Sequence, residues 1–357
     1  MKIKTTPAIL ISALTCEFLC SQETTPYRHF PVQVSFVYPI GIHGTRSVSF
    51  TYNFSLNVLT GNTGNIDGCE IGGLLNTNQG NMSGVQIAGL GNMTKGNVNG
   101  LQIGGLYSLA DSVEGLQLNG IFSKCGELDG LQISGILNLS TSSESSIAGI
   151  ANINTGKQKG VQLAGIYNQT KVLNGVQIGL INITDTIEKG IPVGLVSIVR
   201  KGHYDEWSFI VADYLNLGIS YKLGVKQLYT IYSVGMNLFE DQLWVAGLGI
   251  GHLHEVSPKF SIQPEIICYT YLPMDFQKPL RDTYVSHFKF GLVRNFNENL
   301  AFSFAPSIYM AWKSNRGMDD VYGYEQSPIN PLFDVIPAFS NNRMEFGFGL
   351  SLALQFK

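Results

Sequence analysis

Apolar and polar positions alternate along most of this chain, and between about Asn53 and Arg200 the alternation is cast into a repeated unit. Clear copies begin at Gly84, Gly100, Gly115, Gly130, Gly160 and Gly175, with successive starts 14 to 16 residues apart; worn copies begin near Gly68, Ser146 and Gly190. The unit reads Gly-Φ-Gln-Φ-x-Gly-Φ-x-Asn, with Φ apolar, and a turn-like segment follows it. Period-two alternation rich in Val, Ile and Leu and bounded by Gly, Asn, Asp, Ser and Thr predicts β-structure, and the glycine content argues against any helix. Gln86, Gln102, Gln117, Gln132, Gln162 and Gln177 form one polar column, and Asn92, Asn138, Asn152, Asn168 and Asn182 form a second. We expect both columns to be a structural hydrogen-bond network or a lumen lining.

The flanks alternate too. Pro31–Pro39 and Val48–Thr60 predict two strands before the repeat, and the second runs into it without a linker. From Trp207 onward roughly eight further strands are expected. In the last, Phe346, Phe348, Leu350, Leu352, Leu354 and Phe356 share one face, and Gly347, Gly349, Ser351, Ala353 and Gln355 share the other. A soluble sandwich would carry many charges on its outer face. Here the non-apolar face is Gly, Ala, Ser and Gln, which suits a barrel with lipid outside.

Two architectures fit. In the first, the chain is an all-β protein, a transmembrane antiparallel β-barrel of about 16–20 strands that includes the tandem repeat. A nine-residue unit spans about 30 Å, or about 23 Å when tilted, close to an outer-membrane band. In the second, the repeat is a β-solenoid joined to a smaller β-barrel, with Gln stacked on Gln and Asn on Asn. Apolar residues two before the unit starts, such as Ile66, Met82, Val98, Val113, Leu128 and Leu173, could then fill its core. Val85, Leu101, Leu116 and Val161 would touch lipid in the first case and join a dry core in the second.

Composition narrows the class. Of 357 residues, 14% are charged and 11% aromatic, with 40 Gly and a net charge of −3. Such a balance gives no reason to expect a nucleic-acid partner. Residues 1–22 read as a Sec-type signal peptide, with Lys2 and Lys4 before the apolar Ala8–Leu14; lipidation at Cys16 or Cys20 has poor flanking residues. The mature chain would be 23–357, with the repeat over 53–200 and the C-terminal barrel strands over 203–357. Cys69, Cys125 and Cys268 have no metal-type spacing.

The repeat resembles the Gly-x-Gln-x-x-Gly-x-x-Asn surface-repeat proteins of Bacteroidota and some other Gram-negative bacteria, over most of the mature chain. That resemblance implies a cell-envelope protein and no particular activity. The expected location is therefore the outer membrane. The expected partners are outer-membrane lipid and, less specifically, small polar solutes or surface polysaccharide. Asp111-Ser112-Val113 and Asp185-Thr186-Ile187 look like the O-glycosylation acceptors of such organisms, which makes Ser112 and Thr186 candidate sites.

No residue set points to catalysis or a cofactor. His252 and His254 could share a face, but a third metal ligand is not identifiable. Ser286 and His287 are adjacent on a strand and should face opposite ways. Gly247, Gly249 and Gly251 lie within an alternating strand, the wrong context for a phosphate loop. Gln263, Glu265, His287 and Lys289 are expected to point into a lumen, while His203, Asp205 and Glu206 are expected in a solvated turn. A non-enzymatic protein follows, either a porin-like channel, a structural envelope component, or a surface-exposed solenoid acting as an adhesin.

Overall fold

Each repeat unit stacks directly on the one before it. In the computed structural model, which describes residues 28–237, 243–274, 283–313, 340–341 and 344–357, Gly100 to Gly104 pair in parallel with Gly115 to Asn119. Gly115 to Asn119 pair in parallel with Gly130 to Ser134 in turn, without a change of register. The result is a parallel β-solenoid of about 10 turns followed by a closed antiparallel barrel of 8 strands. The second expected architecture is therefore the one present, and the single barrel of about 16–20 strands is not. The reason lies in the period. Units with identical polar slots satisfy those slots best when every unit runs the same way, Gln on Gln. An antiparallel meander would reverse every second copy.

Most turns have the cross-section seen at residues 97–112. An outer strand, Asn97–Gly104, is bent at Gly100, followed by a turn through Gly105 and Leu106 and a short return strand, Tyr107–Leu109. The motif's two glycines are explained by crowding. Gly100 has φ +131°, and a Cβ there would overlap the carbonyl oxygen of Gly84 in the preceding turn. A Cβ on Gly105 would overlap the carbonyl of Gly89 in the same way.

Inside the solenoid the polarity is inverted. Gln102 and Ser108 are fully buried, whereas Leu106 is 41% exposed. Leu101, expected to join a dry core in a solenoid, is half-buried on the outer surface. The apolar core is confined to the far end of the section, where Ile66, Met82, Val98, Val113 and Leu128 stack on one another beneath Tyr52. Leu173 is buried at the same level of its own turn. The residues two before the unit starts do fill a core, as expected.

The barrel strands are β1 (Tyr204–Ala212), β2 (Leu217–Val225), β3 (Leu228–Asn237), β4 (Leu243–Gly251), β5 (Phe260–Pro273), β6 (Thr283–Asn295), β7 (Leu300–Lys313) and β8 (Met344–Phe356). Neighbours pair antiparallel, and β8 returns to β1 with Trp207 opposite Phe356 and Ala212 opposite Ser351, so no edge is left open. Alternation sorts the side chains as the sequence predicts. Trp207, Phe209, Phe348 and Leu352 point outward, while Ser208, Ser351 and Gln355 point inward. One rim carries the connections 226–227, 252–259 and 296–299 together with Lys357. The 213–216 connection lies at the opposite rim.

Solenoid and barrel meet at the last turn. Thr230 Oγ1 on the outer wall of β3 donates to the Gly194 carbonyl at 3.0 Å, and the Tyr232 hydroxyl donates to the Leu195 carbonyl.

Candidate functional site

Two polar interiors hold the residues singled out from the sequence, one in the barrel and one in the solenoid. In the barrel, Lys222 from β2 lies between two carboxylates, 2.9 Å from Glu206 Oε1 and 2.7 Å from Glu265 Oε1. Lys289 stands 3.6 Å from the other oxygen of Glu265. Two cations thus balance two carboxylates, the arrangement that buried charge requires. The remaining lone pairs are occupied as well. Tyr204 and Ser208 donate to Glu206 at 2.5 and 2.9 Å, and Tyr229 donates to Glu265 at 3.0 Å. Gln263 accepts from Lys222 at 3.1 Å and from Gln355 at 2.8 Å.

Toward the rim of the 213–216 connection, an aromatic layer replaces the ionic one. Tyr214 lies within the lumen with its ring centroid 4.0 Å from that of His287 and 5.2 Å from that of Tyr269. Tyr309 stands 5.5 Å from His287 on the other side. Lumen glycines are the sockets for these rings. A Cβ on Gly247 would meet the Tyr269 ring, one on Gly251 the Tyr229 ring, and one on Gly347 the Tyr309 ring. Gly218 and Gly235 make the same room for Leu215. This packing, together with the ionic layer, fills the lumen.

Gln263, Glu265, His287 and Lys289 therefore point inward as expected. Glu206 does not lie in a solvated turn; it is fully buried. The difference arises because β1 begins at Tyr204, which sets Glu206 on the lumen side of the alternation. His203 and Asp205 do remain outside, paired at 3.0 Å and each about half exposed. They border a cavity of about 560 Å3 at the rim of short connections, together with Lys226, Glu255 and Lys357.

In the solenoid the glutamines form a one-way ladder. Gln102 Nε2 donates to Gln86 Oε1 at 2.7 Å, Gln117 to Gln102 at 2.7 Å, Gln132 to Gln117 at 2.8 Å and Gln177 to Gln162 at 2.6 Å. Ser146 interrupts the column between Gln132 and Gln162. Each asparagine reaches forward one turn. Asn92, Asn138, Asn152, Asn168 and Asn182 donate to the carbonyls of Ile103, Ile147, Leu163, Ile178 and Val193 at 2.7 to 2.9 Å. Both columns are bonded from turn to turn along the stack, although the side-chain oxygens of Gln132, Asn138 and Gln177 find no hydrogen-bond partner among the described residues.

Glu70 occupies the glutamine slot of an early turn, where a pattern of Gln alone does not reveal it. Its carboxyl is fully buried and accepts from Asn57, Asn78 and Gln86 at 2.8 to 3.1 Å, so the ladder's last amide ends on a group that can only accept when ionised. Burial pushes its pKa up, and the three donors pull the other way. A carboxyl whose folded pKa is raised ionises first in the unfolded chain. Its contribution to stability is then full below the unfolded value of about 4.3 and declines as pH rises toward the folded one. Between pH 4 and 8, wild-type protein should lose solenoid stability relative to Glu70→Gln, measured by urea unfolding. Parallel curves for the two proteins would contradict this.

The remaining candidates stay apart. His252 and His254 stack with centroids 6.3 Å apart, and among the described residues no group of three or more His, Cys, Asp or Glu could hold a metal. Ser286 faces outward toward Cys268, away from the inward-facing His287. Ser112 and Thr186 are half-buried, and the Ser112 hydroxyl donates to Asn97 Oδ1 at 2.8 Å. Cys69, Cys125 and Cys268 are free thiols. No family model, curated protein or solved structure matches the chain.

Proposed function

We propose that this is a non-enzymatic protein of the Gram-negative outer membrane, in which a filled barrel anchors a structural solenoid to the cell envelope. The observation that carries the reading is the barrel's polarity. Its wall is closed, its outer face is aromatic and aliphatic, and its interior holds the charges. That is the reverse of a water-soluble core and matches a wall surrounded by lipid. The filled lumen favours an anchor over a porin-like channel, since ionic and aromatic layers occupy the space a solute would need. Outer-membrane barrels keep short turns on the periplasmic side. The solenoid join is on that side, which supports a periplasmic solenoid over a surface adhesin.

The expected result is recovery of the mature protein with outer membranes, heat-modifiable mobility on gels, and no steady conductance in planar bilayers. Recovery as a soluble periplasmic protein would sink the anchor reading. Stable conductance would restore the channel.

A further inference from the structure

The solenoid's section is segregated by charge. At one edge lie the Gly-Φ turn and the two strand ends beside it, with apolar columns such as Leu106, Ile121, Ile136, Ile150 and Ile166 at the tip, 41 to 47% exposed. The opposite edge carries residues such as Asp111, Glu114, Glu127 and Lys159. A contiguous apolar strip nine turns long, at about 4.8 Å per turn, runs about 43 Å. Water-soluble monomers rarely expose a patch of that size.

The edge also meets the condition that excludes most turns from hydrocarbon. At the tip, successive backbone N–H groups are bonded to the turn below. Leu106 and Tyr107 donate to the Leu90 carbonyl at 2.7 and 3.1 Å, and Ile121 and Phe122 donate to Leu106, both at 2.9 Å. Ile136 and Leu137 repeat the pattern on Ile121 at 3.1 and 3.0 Å. No backbone donor at these positions needs water, which is what a lipid-facing turn requires.

The strip is continuous with the barrel wall. Leu195 is the tip residue of the last turn, and its carbonyl accepts from Tyr232 on the outer face of β3. Tyr232 lies four residues into that strand, a depth of about 10 Å from the rim of short connections at a 3.4 Å rise and 40° tilt. Helices that lie in a membrane interface bury their apolar face about 5–10 Å. Tip and wall therefore reach the same depth.

From this we infer that the Gly-Φ edge of the solenoid inserts into one leaflet of the bilayer that holds the barrel. The solenoid lies along the membrane with its apolar tips among acyl chains and its charged edge in water. The inference rests on the anchor reading, and the test separates the two. The native tryptophans, Trp207, Trp244 and Trp312, all belong to barrel strands. The full chain is reconstituted in phosphatidylcholine–phosphatidylglycerol vesicles with brominated acyl chains, and tryptophan quenching is read. A second protein carries Trp207→Phe, Trp244→Phe and Trp312→Phe with Ile136→Trp; Leu106→Trp replaces the last change if that variant does not fold. A third places the tryptophan at Glu127 on the charged edge.

The expected result is quenching of the native protein and of the Ile136 variant, with blue-shifted emission in the latter, and an unquenched Glu127 variant. Quenched native protein with an unquenched, red-shifted Ile136 variant overturns the inference and leaves the anchor standing. Blue-shifted but unquenched emission that reverts on dilution overturns it too, because a second copy of the chain would then cover the edge. Quenching at Glu127 equal to that at Ile136 would refute the charge-segregated orientation. An unquenched native protein overturns the anchor reading and this inference together.

Discussion

Replacing Lys222 with methionine is expected to destabilise the barrel by about 3–5 kcal/mol, the usual cost of breaking a buried ion pair by removing one partner. Lys222 is almost fully buried and makes close contacts to both Glu206 and Glu265. Without it two carboxylates share one dry layer, with Lys289 at 3.6 Å from Glu265 as their remaining cation. Methionine keeps most of the volume, so the loss reports charge and not a cavity. Adding Glu206→Gln to Lys222→Met should recover a large part of the stability, because Glu265 then keeps Lys289 as its cation and no buried carboxylate is left over. Urea unfolding of the three proteins in the same vesicles checks both statements. A cost below about 1 kcal/mol for the single change would mean that water reaches the layer and that the lumen is not filled.

Gln102→Leu is the second large effect, and it runs against ordinary core substitutions because the new side chain is the more apolar one. Gln102 donates to Gln86 and accepts from Gln117, both at 2.7 Å. Leucine would strand the Gln117 amide in a dry interior and weaken the hold on the Gln86 side-chain oxygen, which keeps only a 3.4 Å bond from Thr94. At about 1–3 kcal/mol for each unsatisfied buried group, the expected cost is about 2–4 kcal/mol. Leu101→Ala, one residue away but on the outer surface, should cost about 1 kcal/mol or less, since it gives up only partial burial. Amide hydrogen exchange across residues 100–120 would resolve the two. A costlier Leu101→Ala would show that the leucine, not the amide, faces the interior.

Much of this was legible in the sequence. The unit, its glycines, its two polar columns and the apolar face of Met344–Phe356 all appear where the alternation puts them. The direction of pairing did not follow from the pattern. A period of two describes a strand's faces and is silent on whether the next strand runs with it or against it. The one clue was that every copy is alike, with no difference between odd and even units. The inversion of the solenoid was also hidden. Apolar residues are ordinarily assigned to a core, so Val85, Leu101, Leu116 and Val161 were expected inside a solenoid. The ladder instead takes the centre because glutamines such as Gln102 and Gln117 find both donor and acceptor on adjacent turns. In the barrel, Glu206 precedes the clear alternation that starts at Trp207, although its strand begins at Tyr204. Tyr214, which fills the lumen from a rim connection, carries no signal in any alternating pattern.

Where the one-way ladder is unbroken, it makes a turn interchangeable with its neighbours. A turn such as 115–129 presents to the turn after it the same acceptors that it receives from the turn before. Excising it would bring Gln132 onto Gln102 and Gly130 onto Gly100 without a mismatch, and the join at Thr230 and Tyr232 would not register the change. Length is therefore a quantity this fold can vary in whole steps of about 4.8 Å, gaining or losing one nearest-neighbour interface each time. The reach of the solenoid is set by the number of repeat copies, while the barrel and its join to the last turn stay the same.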